Sequence, residues 1–240
     1  MSPKRLLVSF AAGALALAIA APAFAQEQKP ADSSHAAQTK PDHKEHKKDH
    51  KAKKEAVGEL KPGDQAPEFK LKDTSGKEVD LAALTKEGKI VVLQWFNPRC
   101  PYVQKHYNGP DKTFNALNDK YKDKGVVLLA INSGPQNKPG SGAAESAQAA
   151  KKWDIKYPIL IDETQSVGLA YGAKNTPNMV VIGKDGKVAY MGAIDDDRTP
   201  EKPGKTNYVA KALDQLLAGT TVTTAKTQPY GCHIAYKENN

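Results

Sequence analysis

Cysteine is scarce in this 240-residue chain: there are two, Cys100 and Cys232. Two thiols exclude a cysteine-only zinc site and a disulfide-dense scaffold. Arginine is as sparse, with only Arg99 and Arg198 beyond residue 57. The positive balance (35 Lys and Arg against 27 Asp and Glu, net +8) is therefore mostly lysine interleaved with acids. That pattern argues against a nucleic-acid partner, which calls for a concentrated basic stripe. No apolar run reaches the ~20 residues of a membrane-spanning helix, so no stable membrane insertion is expected. Residues 26–57 contain no aromatic side chain and almost no aliphatic one.

What is present falls into three parts. Lys4 and Arg5 precede an apolar run from Leu6 to Ala20, and Ala23-Phe24-Ala25 supplies an A-x-A cleavage pattern. This layout predicts a signal peptide over residues 1–25, cleaved after Ala25, and hence export to the periplasm. No cysteine lies near that point, which argues against a lipid anchor. Disulfides persist in an oxidising compartment, so both cysteines are read as redox-exposed. Residues 26–57 are rich in Lys, Asp, Glu, His, Ala and Gln and cannot offset their ordering entropy by burial. They read as a disordered linker. His43, His46 and His50 would share one side of a transient helix. Either that side binds a soft or borderline metal or the segment is a solvated spacer.

Residues 58–240 are the right length for one domain with a C-terminal tail. Short strands are expected over Phe69 to Lys72 and Lys77 to Asp80. The apolar runs Ile90 to Leu93, Val126 to Ile131 and Tyr157 to Ile161 suit buried strands. Phe114, Leu117 and Tyr121 mark one helix, Ala143 to Trp153 a second, and Ser166 to Tyr171 a short third. Met179 to Ile182 and Lys187 to Met191 flank a Gly183-Lys184-Asp185-Gly186 turn. Tyr208 to Leu217 carries the face of a last helix ending near Gly219. The alternation predicts an α/β fold with a central mixed sheet and helices on both faces.

The chemistry centres on Cys100. It follows a buried strand, and Pro101 after it favours the first turn of a helix. The sulfur then sits at a helix N-terminus at the carboxyl end of a strand, where open α/β sheets place their sites. Free N–H groups and the helix dipole favour thiolate there, and Arg99 adds a nearby positive charge. The alternative is an inert buried cysteine.

Several segments carry a family resemblance. They are Gly63-Asp64-Gln65-Ala66-Pro67-Glu68-Phe69, Asn97-Pro98-Arg99-Cys100-Pro101-Tyr102-Val103, Ala130-Ile131-Asn132-Ser133, Tyr171-Gly172-Ala173-Lys174-Asn175-Thr176-Pro177, Gly192-Ala193-Ile194-Asp195-Asp196 and Gly231-Cys232-His233-Ile234. In that order and spacing they resemble the thioredoxin-like superfamily. The similarity is to the redoxin group related to alkyl hydroperoxide reductase and thiol-specific antioxidant proteins, in a peroxiredoxin-like subgroup. The resemblance implies a thioredoxin-like fold, Cys100 as attacking thiol and Thr176-Pro177 as a cis-proline loop. That loop would face Cys100 and offer the Thr176 backbone to a substrate. Two departures stand out. Val103 occupies the place of the second cysteine of a C-x-x-C pair. Asn97 replaces the Thr or Ser that helps polarise a peroxide, though its amide can donate and accept hydrogen bonds.

Cys232 lies on a C-terminal tail beyond Thr220 to Pro229, a stretch with few apolar anchors. A mobile tail would bring it to an oxidised Cys100 as resolving thiol; a structural disulfide and an unpaired thiol are the alternatives. His233 is a weak candidate base or metal ligand, and His106 is either a surface residue or a proton donor. The expected function is a periplasmic thiol-dependent oxidoreductase that reduces hydroperoxides, with Cys100, Cys232, Asn97, Arg99 and Pro101 as its catalytic set. Its partners would be a hydroperoxide or disulfide substrate and an external thiol reductant, with no cofactor. A thiol–disulfide exchange protein is the alternative. A third reading is a non-catalytic module binding metal through the His-rich linker or Asp195-Asp196-Asp197.

Overall fold

The computed structural model describes residues 59–237. The expected signal peptide (1–25) and linker (26–57), with His43, His46 and His50, lie outside the described residues. The first elements are strands β1 (Lys70–Asp73) and β2 (Glu78–Asp80) and helix α1 (Leu81–Lys86). Then come β3 (Ile90–Trp95), α2 (Pro101–Asn108), α3 (Thr113–Tyr121), β4 (Val126–Asn132) and α4 (Gly142–Trp153). They are followed by β5 (Ile159–Ile161), α5 (Ser166–Ala170), β6 (Asn175–Thr176), β7 (Met179–Ile182) and β8 (Val188–Gly192). Helix α6 (Tyr208–Leu217) and strand β9 (Cys232–His233) complete the order.

Seven strands form one sheet in the order β2-β1-β5-β4-β3-β7-β8. Strand β3 lies in the interior of the sheet, where both faces are covered: all six of its residues are buried. It pairs in parallel with β4 and antiparallel with β7, so the sheet is mixed, as the alternation of elements implies. Because side chains alternate along a strand, β3 feeds two cores. Ile90, Val92 and Phe96 pack with α2, α3, α4 and α6 residues such as Tyr107, Phe114, Trp153 and Leu213. Val91, Leu93 and Trp95 pack on the other face with Leu81 of α1, Val167 of α5 and Tyr171. Helices thus cover both faces.

The remaining differences from the sequence reading are local. Helix α1 follows β2 where the sequence pattern marks no helix; Asp80 caps it, its carboxylate accepting from the Ala82 N–H at 2.8 Å. Gly183 to Gly186 makes the expected hairpin turn, closed by the Gly183 N–H to the Lys187 carbonyl at 2.8 Å. The short pair β6–β9 stands apart from the main sheet and brings the C-terminal tail onto the cis-proline segment. The tail is anchored, contrary to the mobile segment expected. Val222, Tyr230 and Ile234 are buried, and the Ile234 N–H donates to the Lys174 carbonyl at 2.9 Å. Gln165 also grips the tail, donating to the Ala235 carbonyl and accepting from the Lys237 N–H.

Candidate active site

Cys100 is the N-cap of α2 with extended backbone (φ −75°, ψ 119°), and Pro101 opens the helix. Its carbonyl takes the Val103 and Gln104 N–H groups at 3.0 and 2.9 Å, while its side chain caps nothing. The sulfur is therefore left at the helix N-terminus for other partners. Asn97 shapes the turn ahead of it: its Oδ1 accepts from the Arg99 N–H at 2.8 Å and its carbonyl from the Cys100 N–H at 3.1 Å. Asn97 thus has a demonstrable role in folding the turn.

Arg99 requires a correction. Its guanidinium donates to both oxygens of Glu145, at 2.7 and 3.3 Å, on an exposed surface. Glu145 on α4 is held below its usual carboxylate range chiefly by that hydrogen bond. The charge expected beside Cys100 is compensated by a carboxylate 46 residues away in sequence.

The Thr176-Pro177 bond is cis, and the Thr176 carbonyl lies 3.0 Å from Cys100 Sγ. The backbone of Thr176 also faces Cys232, its register partner in the β6–β9 pair, while Asn175 pairs with His233. Asn175 Nδ2 donates to the Gly231 carbonyl at 3.0 Å and tightens this pairing. The two sulfurs, 132 residues apart in sequence, lie 2.6 Å from one another and both are free thiols. Cys100 is only 3% exposed, whereas Cys232 is half-buried. The Cys232 thiol is pushed up to about 12, first by burial and then by its hydrogen bond with, and the charge of, Cys100. The Tyr102 N–H in the first turn of α2 pulls the other way.

A buried polar cluster fixes the tail just before Cys232. The Tyr230 hydroxyl donates to Asp195 Oδ1 at 2.5 Å and lies 3.2 Å from His106 Nε2. With Nε2 protonated, His106 donates to Tyr230 and its Nδ1 accepts from the Thr113 hydroxyl at 3.2 Å. Lys105 donates to the carbonyls of Asp197 and Thr199 at 2.6 and 2.8 Å and lies 4.7 Å above the Tyr230 ring. Burial holds His106 down at about 3, with the Lys105 charge acting in the same direction. His106 is therefore neither a surface residue nor a donor facing solvent: it is fully buried. Asp195 is likewise buried in this cluster, and among the described residues no three His, Cys, Asp or Glu side chains gather as a metal site. His233 is exposed beside Cys232.

A cavity of about 250 Å³ is lined in part by Asn97, Ser133, Ser141, Thr176, His233 and Ile234, neighbours in sequence or pairing of the two cysteines, though neither cysteine lines it. A more open concavity of about 800 Å³ beside β1 and α5 is lined by no histidine. The site thus joins Cys100, Cys232, Thr176 and Pro177. Asn97 and Pro101 support the turn and helix that present Cys100, and Arg99 is directed elsewhere. Sequence reasoning missed Tyr230 and Lys105, and it named Asn175 and Gly231 only within longer segments, without a role. The one available signal was Tyr230 itself, a large aromatic next to Gly231-Cys232 in a tail otherwise poor in them.

The Redoxin family model matches residues 61–209, so Cys232 lies beyond the matched segment. The thiol-disulfide oxidoreductase ResA of Bacillus thuringiensis is 32% identical over 130 residues. That match takes in 52% of this chain and 66% of ResA, just under two thirds of its length. Among solved structures, an uncharacterized conserved protein from Geobacillus kaustophilus is 32% identical with a TM-score of 0.67, over 75% of this chain and 94% of that one. A hypothetical protein from Sinorhizobium meliloti is 26% identical with a TM-score of 0.66, over 76% and 98%.

Proposed function

The chain belongs to the Redoxin family, and on that premise we propose that it is a thiol–disulfide oxidoreductase whose redox couple is Cys100 with Cys232. The observation that carries this reading is the 2.6 Å separation of the two sulfurs. In the reducing direction the dithiol passes two electrons to a disulfide R–S–S–R, becomes the Cys100–Cys232 disulfide and releases two thiols. An external thiol reductant then restores the dithiol. Negative charge developing on Cys100 Sγ falls at the N-terminus of α2, where the helix dipole favours it. The thiol–disulfide chemistry named for ResA supports the same reading. The sulfurs hold the electrons themselves, so the cycle calls for no cofactor. Export through residues 1–25, residence in the periplasm and a linker over 26–57 ahead of the domain belong to the same proposal.

Reduction of a hydroperoxide is the second reading. There Cys100 attacks the peroxide oxygen, the resulting sulfenic acid condenses with Cys232, and water leaves. The nearby Cys232 favours it as a resolving thiol. Two features favour disulfide exchange instead: Arg99 is taken by Glu145, and Asn97 Oδ1 by the Arg99 N–H.

The test is intact mass and free-thiol count after treating the reduced protein with oxidised glutathione and, separately, with hydrogen peroxide. Loss of two hydrogens with oxidised glutathione, absent in Cys100→Ser, is expected. Two thiols left free under both treatments would overturn the redox couple. Oxidation by peroxide far faster than by the disulfide would move the assignment to the peroxidase.

A further inference from the structure

The two sulfurs are unequally accessible. Cys100 is 3% exposed, with the Thr176 carbonyl on one side and Cys232 on another. Its cover does not swing away freely. The tail is fastened upstream of Cys232 by the Tyr230–Asp195 hydrogen bond at 2.5 Å. Downstream it is held by the Ile234 N–H on Lys174 and by the Tyr236 hydroxyl, which donates to the Ala173 carbonyl at 2.6 Å. Cys232 is half-buried and its neighbour His233 is exposed, so Cys232 is the more accessible of the two.

We propose that Cys232 is the sulfur that exchanges with an external monothiol, and that Cys100 is the inner sulfur. The inference rests on the reading of the pair as a redox couple, and it inverts the roles that the position of Cys100 alone suggests. In the reductive half-cycle an external thiolate RS⁻ attacks Cys232 Sγ of the Cys100–Cys232 disulfide. A bond forms between R–S and Cys232, the bond between the protein sulfurs breaks, and the electron pair leaves on Cys100 Sγ. That charge lands at the N-terminus of α2. A second RS⁻ attacks the external sulfur of the mixed disulfide. RSSR leaves and the Cys232 thiolate takes up a proton. Burial and the neighbouring Cys100 push the Cys232 thiol up, which makes Cys232 a slow leaving sulfur and fits an order in which the electron pair leaves on the other one.

The experiment uses the full chain. The oxidised protein is mixed with reduced glutathione, quenched at intervals with N-ethylmaleimide, and the species carrying one glutathione and one maleimide is mapped by peptide mass. Glutathione on the Cys232 peptide and maleimide on the Cys100 peptide is the expected result. The reverse, or an equal mixture, overturns the proposal. In a second measurement, Cys100→Ser and Cys232→Ser are each titrated with 2,2′-dithiodipyridine across pH. Corrected for thiolate fraction, the remaining Cys232 should react at least about tenfold faster than the remaining Cys100, since access limits the inner sulfur. Equal or inverted rates overturn it even if no mixed disulfide accumulates. Failure of the redox couple itself is distinct: the oxidised starting material would show no loss of two hydrogens.

Discussion

Tyr230→Phe removes one hydroxyl and keeps the ring over which Lys105 lies, so it removes the hydrogen bond to Asp195 that fastens the tail, together with the 3.2 Å contact to His106 Nε2. The lost bond is short, 2.5 Å, buried, and directed to the carboxylate of Asp195. Asp195 retains two donors, the Gly204 N–H at 2.6 Å and the Asp197 N–H at 3.2 Å, so its charge is not orphaned. Hydrogen bonds to charged groups contribute about 1.5–3 kcal/mol, which puts the loss near 2 kcal/mol. If the loss falls on docking of the tail, its opening becomes about thirtyfold more frequent, since each 1.4 kcal/mol is a factor of ten. The assay is native-state hydrogen exchange of the Ile234 amide, which is bonded to the Lys174 carbonyl across the tail contact. The Phe96 amide, bonded to the Ile131 carbonyl in the central sheet, is the internal control. Faster exchange at Ile234 with Phe96 unchanged is expected. A change at Ile234 below about threefold would refute the assignment of Tyr230 as the anchor of the tail.

Gly231→Ala should break the β6–β9 pair. Gly231 has φ +116°, and a Cβ there would meet the Thr176 carbonyl oxygen. Strained backbone alone costs about 1–3 kcal/mol, so the variant should unfold earlier and form the Cys100–Cys232 disulfide less completely in a glutathione buffer, measured by free-thiol count. His106 makes stability pH-dependent. Its folded value of about 3 lies below the ordinary 6.5 because of burial, so between those values the unfolded chain takes up a proton that the folded chain refuses. Stability from this group is complete above pH 6.5 and falls as the pH drops, by at most about 1.4 kcal/mol per unit. Urea unfolding at pH 7 and pH 5 should show a smaller difference in His106→Gln than in the unaltered protein.

The regular part of the fold was legible because burial leaves a strong mark on sequence. Strand β3 reads as a continuous apolar run since both faces of the sheet are covered, and α6 reads from its apolar face. The position of Cys100 was legible for a local reason, a buried strand followed by a proline that fits the first helical turn. What escaped was set by contacts between distant segments. Nothing near Arg99 announces Glu145, which lies on α4. Nothing near His106 and Lys105 announces a cluster with Asp195 and Tyr230, because α2 residues become interior only when the loop after β8 and the tail close over them. Strands β6 and β9 are two residues each, too short for alternation to be read. The tail's anchors are few but widely spaced, Val222, Tyr230 and Ile234, so composition made it look loose where the fold makes it tight.

Where a C-x-x-C pair would carry its second sulfur this chain has Val103, which is fully buried in the core under α2. The second sulfur instead comes from a segment 132 residues away, and only the folded tail brings it to Cys100. Oxidation of the proposed pair would therefore be linked to folding. A disulfide closing a loop of that length removes conformational freedom mainly from the unfolded chain, worth about 5 kcal/mol in the chain-entropy model. The folded state should change little, because the sulfurs are already in contact and the backbone on both sides is hydrogen-bonded in place. The oxidised protein should accordingly resist urea more than the reduced one by several kcal/mol, and Cys232→Ser should show no difference between the two conditions. By linkage, anything that loosens the tail in the folded state, Gly231→Ala above all, should shrink that gap. Equal unfolding midpoints for oxidised and reduced protein, with the disulfide shown to be present, would mean that the tail constrains the unfolded chain as much as the folded one, and would refute this coupling.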